Sequence, residues 1–109
     1  DVLALQARVD AVRVDDSLLD YAVRFAEASR RAKGIRLGLS PRGTLALCRA
    51  ARAHALVDGR DHCVPDDIKA VAVPVAAHRL LLDTSLYGVA RVDEAEAAVA
   101  ALLQGVPAP

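Results

Sequence analysis

A chain of 109 residues is long enough for one hydrophobic core and no more. Its apolar fraction of 54% excludes disorder, yet no run approaches the roughly 18 apolar residues of a membrane-spanning helix, and the N-terminus has no signal-peptide pattern. Fourteen basic residues balance 14 acidic ones to a net charge of zero, and only three residues are aromatic; both facts count against a nucleic-acid partner.

The chain contains no methionine and opens at Asp1, so it is expected to be a single domain, residues 1–109, cut from a longer protein. Cys48 and Cys63 form no CxxC pair and no framework spacing. They read as small buried hydrophobes in a reducing compartment, which implies a cytoplasmic location.

In chain order, residues 1–11 read as a short helix with Asp1 at its favourable end. Val12-Arg13-Val14 alternates with β-branched residues and predicts a very short strand. Asp15 and Asp16 offer caps for a second helix. Its apolar stripe comprises Leu18, Tyr21, Ala22, Phe25 and Ser29, widened by Leu19 and Val23, and it should end near residues 31–33 with Gly34 just beyond. Residues 34–39 read as a loop.

Gly38-Leu39-Ser40-Pro41-Arg42 then leads into an apolar helical run. Ser40 suits the N-cap, where its hydroxyl accepts from a first-turn N–H. Pro41 suits the first helical position, where a missing N–H costs nothing. Arg42 stands in the first turn, the positive end of the helix dipole. There it costs about 0.3–1 kcal/mol if it is plain surface, but it would complement an anion held by the free N–H groups. The helix should run to about residue 58, with Leu45, Cys48, Ala51 or Arg52, and Ala55 on one face, and end at Asp58-Gly59.

His62-Cys63-Val64 is short and extended, and Pro65-Asp66-Asp67 opens a fourth helix whose Ile68, Val71, Ala72 and Val75 face the core. Val64 departs from the usual cap, since it carries no acceptor. Pro74 should kink or end this helix. Residues 78–82 read as extended and residues 83–91 as a loop. Asp93 and Glu96 resemble a capping box for a last helix that buries Val99, Leu102 and Leu103 and stops at Gly105, leaving a loose tail.

The chain carries neither GxxxxGK[ST] nor GxGxxG, so it has no phosphate loop of its own. His54, His62 and His78 lack metal-ligand spacing, and no metal is expected. From residue 28 to residue 57 there are seven basic residues (Arg30, Arg31, Lys33, Arg36, Arg42, Arg49 and Arg52) and no acidic one. Such a block suits an anionic partner or a face that meets another domain.

Four motifs in this order resemble the C-terminal lid domain of MoxR-type AAA+ ATPases. They are Val12-Arg13-Val14-Asp15-Asp16 leading to Leu19-Asp20-Tyr21; Gly38-Leu39-Ser40-Pro41-Arg42; Ala50-Ala51-Arg52-Ala53 followed by Asp58-Gly59-Arg60-Asp61; and Val64-Pro65-Asp66-Asp67-Ile68 leading to His78-Arg79-Leu80. The resemblance covers about residues 1–82, and the tail, residues 83–109, resembles the family less. Family members often carry Thr where this chain has Val64.

The resemblance implies a mainly α fold, a small bundle of four to five helices in which the extended segments 12–14 and 62–64 pair. It implies that Arg42 is the sensor 2 residue contacting the γ-phosphate of ATP, with Leu39, Ser40 and Pro41 forming the same contact region. ATP and its Mg would be held by the core domain of the same chain, within a chaperone-like ring, a hexamer, that couples hydrolysis to motion. Von Willebrand factor A-domain proteins are the implied external partners. This fragment, without Walker A and B motifs, should bind no nucleotide and hydrolyse no ATP by itself. The alternatives are a helical nucleic-acid-binding or protein-adaptor module using the Arg30–Arg52 block.

Overall fold

The computed structural model describes residues 1–82 and 92–109. Five helices make the body: α1 (Val2–Asp10), α2 (Asp16–Arg31), α3 (Pro41–Val57), α4 (Pro65–Ala76) and α5 (Val92–Gly105). A 3-10 turn, Ala77–Arg79, extends α4. The mainly α small bundle expected from the sequence is the architecture found.

α3 lies at the centre and packs on α1, α2 and α4. Its most extensive packing is with α4, and both helices bury small residues, Ala51 and Ala55 on α3 and Ala72 and Ala76 on α4. Side chains this small let two helix backbones approach closely. The larger filling comes from Tyr21 and Phe25 of α2, Leu47 of α3, Ile68 of α4 and Val99 of α5. Leu19, Val23 and Leu45 are exposed, so they do not belong to the core stripes they were expected to join. Periodicity locates the centre of a helical stripe but not its edges. On α3 the buried line runs through Leu47, Cys48, Ala51 and Ala55, which leaves Leu45 on the outer side.

The expected pairing of the two extended segments is present as one parallel bridge, Arg13 with His62. The Arg13 N–H donates to the Asp61 carbonyl at 2.9 Å, and the Cys63 N–H donates to the Arg13 carbonyl at 2.8 Å. A second pairing lies where the sequence suggests only a loop. Ile35–Leu37 forms strand β1, antiparallel to β2 (Leu81–Leu82), with an irregularity between the two registered pairs. Gly34, with φ at 88°, and Gly59, at 82°, follow the ends of α2 and α3, where that conformation favours glycine.

Pro74 lies inside α4, where it has no N–H to donate to the Ala70 carbonyl, and α4 ends two residues further on at Ala76. α5 starts at Val92, so Asp93 lies in its first turn rather than at the cap. The expected loop 83–91 falls outside the described residues. Val106 is buried and its N–H donates to the Leu102 carbonyl at 3.2 Å, so the tail is fastened one residue past α5. Among the described residues, no helix is long and apolar enough to cross a membrane.

Candidate functional site

The start of α3 is held by a chain of contacts that begins on α2. Ser29 is fully buried in the last turns of α2. Its hydroxyl donates to the Ala26 carbonyl at 2.6 Å and accepts from the Leu39 N–H at 2.8 Å. The residue before Leu39 must therefore pass close to α2. A β-carbon at Gly38 would stand 2.6 Å from the Arg30 nitrogen and 2.6 Å from the Ser29 carbonyl carbon, so glycine is required there. Leu39 is fully buried in the core.

Ser40 caps the helix as expected. It is extended at φ −73° and ψ 165°, and its hydroxyl accepts from the Gly43 N–H at 3.0 Å. Pro41 takes the first helical position. Arg42 projects from this anchored turn into solvent and has no ion pair or side-chain hydrogen bond among the described residues. Gly43 is buried behind it, where a β-carbon would meet Leu39 Cδ1 at 2.6 Å and Arg79 Cδ at 3.5 Å. The stem of Arg79 thus runs beside the same turn.

Ser29 supplies a direct test of this anchoring. Ser29→Ala leaves the buried Leu39 N–H without its acceptor, a cost of about 1–3 kcal/mol that thermal unfolding should register. An unchanged midpoint would contradict the arrangement.

The other basic residues of the block have separate environments. Arg30, Arg31 and Lys33 stand at the carbonyl end of α2, where positive charge is favourable. Arg49 reaches Asp10 at 3.6 Å and ties α3 to α1. Arg52 is half-buried, with its Nε enclosed and unpaired. Burial pushes both the Cys48 and Cys63 thiols up, Arg52 opposing the shift in each case, so both stay protonated near neutrality.

One polar cluster has little trace in the sequence. The pattern there marks Asp67 only as a first-turn acid, yet its side chain is fully buried. Arg60 clasps it with two bonds, Nη1 to Oδ2 at 2.6 Å and Nη2 to Oδ1 at 2.7 Å. His54 Nδ1 lies 2.7 Å from Oδ1, and the Val64 N–H donates to Oδ2 at 2.7 Å. That last bond replaces half of a capping box, which is how the helix starts without an acceptor on Val64. The cluster joins α3, the turn after it and α4. Its one signal in the sequence is the position of Asp67, two residues after the first-position Pro65 and within reach of the N-cap N–H.

Residues 38–43 and Arg79 therefore form a rigid turn with a free guanidinium. One cleft among the described residues, of about 650 Å³, is an apolar trough between α2, β1 and α5. Arg42 stands outside it, as a contact offered outward rather than a pocket wall.

The fold agrees with what comparison with known proteins returns. The AAA lid domain family model matches residues 27–103, further along the chain than the motifs reach. The chain belongs to the AAA lid domain family. Within that family it resembles lids of the MoxR type. MoxR of Methylorubrum extorquens is 40% identical over 98 residues, covering 84% of this chain and 28% of that protein. Chaperone MoxR1 of Mycobacterium tuberculosis is 37% identical over 91 residues, covering 75% and 24%. YeaC of Bacillus subtilis, an uncharacterized protein, is 38% identical over 111 residues, covering 100% of this chain and 33% of its own length. A crystal structure from Cytophaga hutchinsonii, described as a candidate ATPase, superposes with a TM-score of 0.76 at 28% identity, over 93% of this chain and 33% of that one. The chain spans about a quarter to a third of the length of these relatives.

Proposed function

We propose that this domain is the lid of a MoxR-type AAA+ ATPase and that Arg42 is its sensor 2 residue, reaching the γ-phosphate of ATP bound on the core domain of the same polypeptide. The observation that carries the reading is the exposed, unpaired Arg42 on a turn fixed by Ser29, Gly38 and Ser40. Two other arginines of the α3 region are by contrast occupied within the domain, Arg60 clasping Asp67 and Arg49 meeting Asp10.

The physical role follows from charge. Negative charge on the γ-phosphoryl oxygens is complemented by a guanidinium held in place before the reaction, at the positive end of the α3 dipole. Leu39, Ser40 and Pro41 orient that contact, and Mg-ATP is held by the core. ATP binds the closed arrangement of lid and core better than the open one, and hydrolysis removes the difference. In a ring of such subunits, a hexamer in this reading, the swing of the lid is the motion delivered to a client. Von Willebrand factor A-domain proteins are the partner class, and the cytoplasm is the place.

Turnover by the full-length parent tests the assignment. Arg42→Ala should lower ATP hydrolysis by roughly 10- to 100-fold, about 1.4–2.7 kcal/mol of barrier, and Arg42→Lys should lower it less. Unchanged turnover in Arg42→Ala would remove the sensor role. The 109-residue segment alone should release no phosphate from ATP, and sustained release by pure material would contradict the lid reading.

A further inference from the structure

The sensor role of Arg42 leaves the His78-Arg79-Leu80 motif without a task. Arg79 ends the 3-10 turn that prolongs α4. Ala77 and Leu80, on either side of the His78-Arg79 pair, are buried, so the backbone there is fixed to the core while both side chains are exposed. The Arg79 stem then lies along the first turn of α3. Gly43 is kept bare by Leu39, whose Cδ1 would stand 2.6 Å from a β-carbon there, and Arg79 Cδ lies 3.5 Å from the same point. Gly43 follows Arg42 directly, so two arginines from different elements come together at one capped turn.

Neither arginine makes an ion pair or a side-chain hydrogen bond among the described residues. The stretch from residue 28 to residue 57, which contains this turn, supplies no acid. A cation is favoured at the carbonyl end of a helix, and that accounts for Arg79 closing α4. It does not account for a second cation brought to the amino end of α3, where the dipole is positive and Arg42 is already charged. Two like charges at such a place are mutually unfavourable unless an anion of more than one charge meets them both.

We infer that Arg79 is a second phosphate-binding residue of the lid, meeting the diphosphate that ATP and ADP share while Arg42 meets the γ-phosphate. This rests on the reading of the domain as an ATPase lid. The chemistry selects the ligand. One planar guanidinium serves one phosphoryl group through parallel hydrogen bonds, and in a nucleoside polyphosphate the next anionic group is one bridging oxygen away. The two residues then divide the work. Arg42 responds to the presence of the γ-phosphate, and Arg79 keeps hold of the product after hydrolysis, so the lid is released in two stages.

The test is calorimetric titration of Mg-ADP into the full-length parent and its variants. Arg79→Met keeps an apolar stem beside Gly43 and removes the charge; it should weaken ADP binding about tenfold, with the thermal midpoint of the nucleotide-free protein unchanged. Arg79→Lys keeps the charge and should weaken binding only about threefold. Arg42→Ala should bind ADP as the wild type does, since ADP has no γ-phosphate. Wild-type ADP affinity in Arg79→Met, an equal loss in the Met and Lys variants, or a loss that comes with a lowered midpoint would overturn the inference. ATP turnover of Arg42→Ala is read separately. Its effect intact with no Arg79 effect on ADP defeats the second contact alone, and the reverse defeats the sensor alone.

Discussion

Asp67→Ala is expected to lower the unfolding free energy by about 3 kcal/mol and the thermal midpoint by more than about 10 °C. The carboxylate is fully buried and takes part in four polar contacts, with Arg60 twice, His54 and the Val64 N–H. Its removal leaves the half-buried Arg60 guanidinium with only Asp58 and the His62 carbonyl, in the joint between α3 and α4, the most extensively packed helix pair of the fold. The same cluster sets an acid limit. Hydrogen bonds from Arg60, above all, with those from Val64 and His54, hold the Asp67 carboxyl well below its ordinary value of 3.8, against the opposing effect of burial. A depressed folded pKa gives stability that is complete above the unfolded value and is lost as pH falls below it. Stability should therefore be flat with respect to this group near neutrality and decline from about pH 4 downward. Asp67→Asn should remove that part of the decline while lowering stability at pH 7. A wild-type-like thermal midpoint in Asp67→Ala would show that the cluster is ornamental.

Gly38→Ala is expected to have a comparable effect, about 2–3 kcal/mol, from one added methyl group. The clash is with backbone atoms of Ser29 and Arg30 at 2.6 Å, not with a flexible side chain, so α2 and the segment before α3 must separate. That separation pulls the Leu39 N–H from Ser29 and tilts the capped turn that carries Arg42. In the full-length ATPase the variant should therefore lose turnover as well as stability, although it removes no charged or polar group. A thermal midpoint equal to that of the wild type would contradict the close approach. A stability loss with full turnover would separate the anchoring from the function.

These two positions illustrate what the sequence can and cannot disclose. The start of α3 is legible because caps are local: Ser40, Pro41 and the Gly43 N–H lie within four residues, and their chemistry depends on little else. The pairing of segments 12–14 and 62–64 comes through the resemblance, and the single bridge found is its core. The role of Gly38 is not legible, since its neighbours Ser29 and Arg30 come from another helix. Strand β1 is hidden for a similar reason: Ile35 and Leu37 are two apolar residues among glycines, and their partners Leu81 and Leu82 lie more than forty positions away. Asp67 is legible in its place but not in its environment. Pro65-Asp66-Asp67 does open α4, but only the fold brings Arg60 and His54 onto the second carboxylate and leaves the first exposed.

Arg42 is legible as a residue that sits poorly for stability and well for an anion, and the structure places it in solvent on a fixed turn with no carboxylate to neutralise it. The most direct measurement is a structure of the full-length protein with Mg and a non-hydrolysable ATP analogue. The Arg42 guanidinium should then lie within hydrogen-bonding distance of a γ-phosphate oxygen, with residues 38–43 arranged as they are here. Arg42 lying in solvent, or paired with a carboxylate of the core while the γ-phosphate is met by other groups, would contradict the sensor role.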